Sequence, residues 1–360
     1  MLSIIDLNKF IMSDYITIAG LTLIMGLTLF LPFSVKKVED ELEAFLFLMG
    51  VSAVTISGQW TGTLIKDALR EPVKITLAVL LLGFAFKAAR HRLKGWLEKL
   101  IKALGIRRAL FSIMLFLGLG SSLMTAIIAA LALAEIITLL KLERKYEIRV
   151  VVYACFAIGL GAALTPIGEP LSTIVVVKLK EPPHSADFFY LLNQLGAWVI
   201  PGVILTAFLG SREAGSAKTS AIGLSEDVAE TNRSIIFRSG KVYLFIMALI
   251  FLGAGLTPLA ARFVPQMPVW ALYWANSISA ILDNATLAAA ELVPAMTDRQ
   301  VKFVLMGLLI SGGILIPGNI PNIISAAKLN IKSGEWARAA LPYGAFLMLT
   351  YFILMSILVK

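Results

Sequence analysis

The chain has 360 residues, 58% of them hydrophobic and 15% charged, with a mean hydropathy of +0.85. Apolar runs of membrane-crossing length recur along it, which excludes a soluble domain. The formal net charge of +9 does not indicate nucleic-acid binding, because the basic residues lie in short loops that hold few aromatics.

A first span covers 14–35 and ends at Lys36-Lys37; no cleavable signal peptide is expected ahead of it, since Asp6, Lys9 and Asp14 replace a basic n-region. A second span, 42–65, carries Thr55, Ser57, Gln59 and Thr61, and a third covers 72–90. Residues 91–108 are too charged to cross, and 91–102 has the helical spacing of an amphipathic helix lying on the membrane surface. The next apolar segment, 109–140, is interrupted at Gly118–Ser122 and flanked by Arg107-Arg108 and by Lys141, Arg144 and Lys145. Basic flanks at both ends put both on one side, so a re-entrant hairpin is expected.

A broken helix follows over 149–180, then a span over 190–209 and a hydrophilic cytoplasmic linker over 211–240. The order then repeats: a span at 242–262, a hairpin at 269–296 interrupted at Asp283-Asn284, a broken helix at 301–328 and a last span at 339–359. The second hairpin lacks basic flanks, so the two units are expected to be inverted relative to each other. The expected fold is an all-α polytopic membrane protein with an inverted repeat, two re-entrant hairpins, two discontinuous helices and about eight crossing helices. Residues 1–70 are expected to form a scaffold, 71–210 the first repeat and 241–360 the second.

Both broken helices are punctuated alike. Thr165-Pro166-Ile167-Gly168-Glu169-Pro170 and Ile316-Pro317-Gly318-Asn319-Ile320-Pro321 free backbone groups inside apolar sequence, and a lysine (Lys178, Lys328) follows nine residues after Glu169 and after Asn319. Hydrocarbon cannot satisfy such groups, so each break must be buried in protein or line a polar cavity.

Carboxylates inside a membrane cost at least a few kcal/mol and are functional candidates. Glu135 and Glu291 lie near hairpin ends, where an interfacial or helix-pairing role is favoured; Glu169 and Asp283 sit in the breaks. Around these two, the side-chain oxygens of Ser122, Thr125, Thr165, Ser172, Ser279, Asn284, Thr286, Asn319 and Asn322 suit a small hard cation. Burial raises a carboxylate's proton affinity and a bound cation lowers it, so proton and cation compete for one group. The chain is therefore read as a cation/proton transporter with Glu169 and Asp283 as the shared ligands, sodium as the cation and no resident cofactor.

Half-helices starting near Ser122, Ser172, Asn284 and Asn322 leave an anion reading open. No Arg or Lys is expected within the site, however, and Lys178 and Lys328 are expected to extend to the surface. Enzyme readings lack residues: there is no His-Glu-x-x-His, no P-loop and no Gly-x-Ser-x-Gly elbow, and only one aspartate lies within a span. Cys155, the single cysteine, excludes an intrachain disulfide.

Thr165-Pro166-Ile167-Gly168-Glu169 with Ser172-Thr173 resembles a motif of NhaD-type sodium/proton antiporters, and Ser279-Ala280-Ile281-Leu282-Asp283-Asn284 is similar to that family's hairpin. Glu169 stands where the family has aspartate. Gly318-Asn319-Ile320-Pro321-Asn322 instead resembles the arsenite and anion branches of the broader ion transporter superfamily. The resemblance covers 115–180 and 275–330. It implies a homodimer in a cell membrane, with a transport domain that slides against a scaffold as an elevator.

Overall fold

The computed structural model of the chain describes residues 4–214, 231–263, 267–281 and 284–359. The chain is an all-α polytopic membrane protein. Among the described residues there is no strand, and six helices are long and apolar enough to cross a membrane.

Helix α1 (Ile4–Ser34) leads through the short α2 (Lys36–Asp40) to α3 (Leu42–Ser57). Helix α4 (Gly62–Leu104) starts at Thr61, whose hydroxyl accepts from Leu64 N at 3.0 Å, and runs unbroken for 43 residues. The charged stretch 91–102 is therefore not a separate surface helix. No proline interrupts 73–104, and the helix of about 65 Å simply continues past a hydrocarbon core of about 30 Å. Leu97, within that stretch, is fully buried against protein.

Helices α5 (Ile106–Met124) and α6 (Ala126–Leu140) form the first hairpin, turning at Thr125 with φ 76° and ψ 147°. The first broken helix is α7 (Arg144–Ala162) and α8 (Pro170–Lys178), followed by α9 (Tyr190–Ala214). Helix α10 (Asn232–Phe263) opens the second set, and both it and α9 extend into the expected linker, whose residues 215–230 lie outside the described ones. The second hairpin is α11 (Val269–Ala275), a 3-10 turn (Asn276–Ala280) and α12 (Asn284–Glu291). The second broken helix is α13 (Asp298–Gly312), a 3-10 turn (Ile316–Gly318) and α14 (Ile320–Leu329), before the final α15 (Ser333–Leu358).

The broken helices form the centre. From Ile158 to Ala162 in α7 and from Phe303 to Gly312 in α13 every residue is buried, as expected of helices apolar all round. Arg144, opening α7, donates to Leu329 O at 2.9 Å and Asn330 O at 2.7 Å, at the end of α14. At the other end His184, beyond α8, lies 2.9 Å from Met296 O and 3.1 Å from Asp298, which opens α13. The two broken helices therefore run antiparallel.

Their outer halves are exchanged between hairpins: α14 packs on α6 and α8 on α12, while α6 also packs on α4 and α12 on α10. The face holding Arg144, Lys141, Lys332 and Lys241 is called the basic face below.

Candidate functional site at the two helix breaks

Proline supplies no N–H and clashes with the preceding turn, so Pro166 and Pro317 end their helices inside the protein. The backbones of both breaks then fold alike at an offset of 150, although the two prolines stand 151 residues apart. Leu164 N donates to Gly161 O at 3.2 Å and Ile314 N to Ser311 O at 3.0 Å. Gly168 N donates to Thr165 O at 3.1 Å and Gly318 N to Leu315 O at 3.3 Å. Glu169 has φ −155° and ψ 160° ahead of α8, and Asn319 has φ −154° and ψ 145° ahead of α14. Both side chains are buried and neither caps the helix it precedes.

The next polar position satisfies the carbonyls that each break frees. Ser172 donates to Ala163 O at 3.0 Å, and Asn322, its counterpart, donates to Gly312 O and Leu315 O at 2.9 Å each. Oδ1 of Asn322 has no partner among the described residues. Thr165 donates to Ser122 O, and Ala126 N donates to Gly168 O at 2.9 Å, which ties the first hairpin's tip to the first break. Ser122 itself donates to Leu119 O at 2.7 Å. Thr125 is half-buried at the tip, in a left-handed φ that a β-branched residue rarely adopts, and accepts from Ile128 N at 3.4 Å.

Asn319 reaches the first broken helix: a Cβ on Gly159 of α7 would stand 2.5 Å from its Nδ2, so glycine makes room for it. Asn284 is buried at the start of α12, and its Nδ2 has no partner among the described residues. Asp283 lies outside the described residues, as do the side chains of Ser279 and Thr286. The expected oxygens are thus divided. Ser172 and the Asn322 amide nitrogen hold the breaks' carbonyls, and Ser122 and Thr165 hold carbonyls of α5; Glu169, Asn284, Asn319 and the Asn322 carbonyl oxygen are the other buried polar groups of the expected set.

Two findings depart from the sequence expectations. Lys328 does not extend to the surface: its Nζ lies 2.6 Å from Oε2 of Glu135, with side chains only 7% and 3% exposed. The exchange of α14 onto α6 brings a carboxylate within reach, and pairing is what allows a buried ammonium ion. Lys178, its counterpart, is exposed as expected. Arg238 of α10 is also buried and acts electrostatically on Glu135, a position that its hydrophilic sequence context did not mark out.

These cations border a cavity of about 320 Å³ on the basic face, between α10, α2 and α14. It runs from the Lys332–Asp40 ion pair to Ile316 of the second break, with Arg238, Lys241 and Lys328 along its walls. The Lys332 ammonium ion holds the Asp40 carboxyl below its ordinary range, so this clasp stays charged near neutral pH.

A family model described as "Protein of unknown function (DUF1646)" matches residues 18–358, from within α1 to the last residue of α15. The chain belongs to the DUF1646 family. No curated protein matches this DUF1646 chain.

Proposed function

We propose that this chain is a secondary active transporter that exchanges a small cation, sodium in the first instance, for protons by elevator-type alternating access. The observation that carries the reading is the pair of antiparallel breaks with superposable backbone conformations, one presenting Glu169 and the other Asn319. An inverted repeat with a polar break in each half is the architecture that places an ion site near the bilayer midplane. The resemblance to NhaD-type antiporters points the same way, with Asp283 as the second carboxylate. The cavity on the basic face, which reaches the second break, is the water-filled approach from the cytoplasm in this reading. A homodimer in a cell membrane belongs to the same proposal, as does the absence of enzymatic activity.

The test is exchange by purified protein in liposomes. Glu169→Gln and Asp283→Asn are each expected to abolish cation-driven proton flux in a protein that still elutes as a folded species. Flux at the unsubstituted level from Asp283→Asn would remove the assignment.

One observation favours a second reading, transport of an anion such as arsenite or a dicarboxylate. Lys328 and Arg238 are buried beside the cavity, where the sequence had indicated no embedded cation. In that case flux survives neutralisation of the carboxylates and is lost in Arg238→Gln, Asn319→Ala or Asn322→Ala.

A further inference from the structure

The two hairpin carboxylates lie toward opposite faces and in opposite settings. Glu135 lies toward the basic face and pairs with Lys328. Glu291 ends α12 on the other side, two residues before the exposed Val293, and is 4% exposed. Among the described residues no cation pairs with it. Helix α12 packs on α8, α10, α13 and the 3-10 turn Asn276–Ala280. The charged groups at that end of these elements are Lys178, Arg262, Asp298, Arg299 and Lys302, and none of them acts on Glu291. Among the described residues its hydrogen-bond partner is the side-chain amide of Asn276, 1% exposed.

Asn276 is itself held in place. Its Nδ2 donates to Val304 O at 3.1 Å, and its backbone O accepts from Ser311 Oγ at 2.6 Å. Ser311 immediately precedes the glycines that begin the second break, and its own carbonyl accepts from Ile314 N at 3.0 Å. A continuous buried polar path therefore runs from Glu291 through Asn276 and Ser311 to the break. Along it, Oε2 of Glu291 and Oδ1 of Asn276 are buried acceptors with no donor among the described residues. A buried carboxylate with no cation beside it among the described residues, one of its oxygens without a donor and a second donorless oxygen next to it, is costly in a low-dielectric site. One proton on Glu291 removes the charge and supplies a donor.

We propose that Glu291 and Asn276 form a second proton site, in which Glu291 binds a proton as a neutral acid and exchanges it with the face opposite the basic loops. The step moves a proton alone: with water from that face at the carboxyl, Glu291 releases its proton to the water as hydronium, and takes one back from hydronium in the same water. What the proton does in transport rests on the exchange reading above; its residence on Glu291 does not.

The test is an infrared pH titration of the full-length protein in lipid, followed by proteoliposome flux. At neutral pH the unsubstituted protein is expected to show a carboxylic-acid C=O band that Glu291→Gln lacks and that disappears at alkaline pH. Glu291→Gln is further expected to shift the pH profile of cation-driven proton flux while its thermal unfolding stays near that of the unsubstituted protein. Should that variant fail to fold, Asn276→Ala, which keeps the carboxyl, is expected to change the pH at which the band is lost. Superimposable titrations of the unsubstituted and substituted proteins overturn the proposal, and so does an unshifted flux profile in Glu291→Gln. If the unsubstituted protein shows the band but no cation drives proton flux, the exchange reading falls and the proton site stands.

Discussion

Lys328 and Glu135 form a buried ion pair, Nζ to Oε2 2.6 Å, that joins the outer half of the second broken helix to the return helix of the first hairpin. Removing one partner of such a pair strands a charge and costs about 3–5 kcal/mol, whereas removing both costs far less. Lys328→Met alone is therefore expected to lower the thermal unfolding midpoint markedly in detergent. The double variant Lys328→Met/Glu135→Gln is expected to recover most of the loss. Equal losses in the single and double variants would show that the pair does not hold α14 on α6.

At the breaks, close approach of backbone to backbone is possible only with glycine. A Cβ on Gly161 would collide with Gly118 O of α5, while Gly26 of α1 has open space around it. Gly161→Ala is expected to destabilise by about 1–3 kcal/mol, the usual range for overpacking. Gly26→Ala is expected to be neutral or slightly stabilising, since alanine is the better helix former. Thermal unfolding of both variants checks this.

Gly159→Ala probes the site more than the fold. The added methyl group must displace Asn319, whose Nδ2 occupies that space. Apparent cation affinity is expected to fall with little loss of thermal stability. A variant with unchanged affinity would place Asn319 outside the ion path.

The breaks were legible in the sequence because Pro and Gly interrupt apolar runs at matched spacing, and no packing argument can hide that. The outer boundaries of the charged segments were not. Residues 91–102 read as a surface helix because their period is helical, yet nothing in the sequence stops α4 near residue 90, and it continues to Leu104. The Lys328–Glu135 pair was also out of reach. Its members are separated by the first broken helix, two spans, a linker, the second hairpin and α13, and only the exchange of outer half-helices between hairpins brings them together. Lys178 and Lys328 look equivalent in sequence; what separates them is that α6 presents a carboxylate to one, while α12 turns Glu291 toward Asn276 instead.

The cavity supplies a sided prediction. Cys155 is buried against Ser325 and Pro321, and burial pushes the reactivity of such a thiol down, so the native chain is a silent background for labelling. Ala327→Cys, on the cavity wall, is expected to react with a membrane-impermeant thiol reagent from the basic face only. Its labelling rate is expected to change when sodium is added. Labelling from the opposite face would contradict the sidedness.

The most direct measurement is proton flux in liposomes holding the purified protein and an internal pH-sensitive dye, challenged in turn with sodium, lithium, potassium and calcium. The account predicts that sodium or a close analogue drives protons in the opposite direction, saturably, and that Glu169→Gln abolishes the response. Silence to every cation, together with uptake of arsenite or a dicarboxylate, would contradict it.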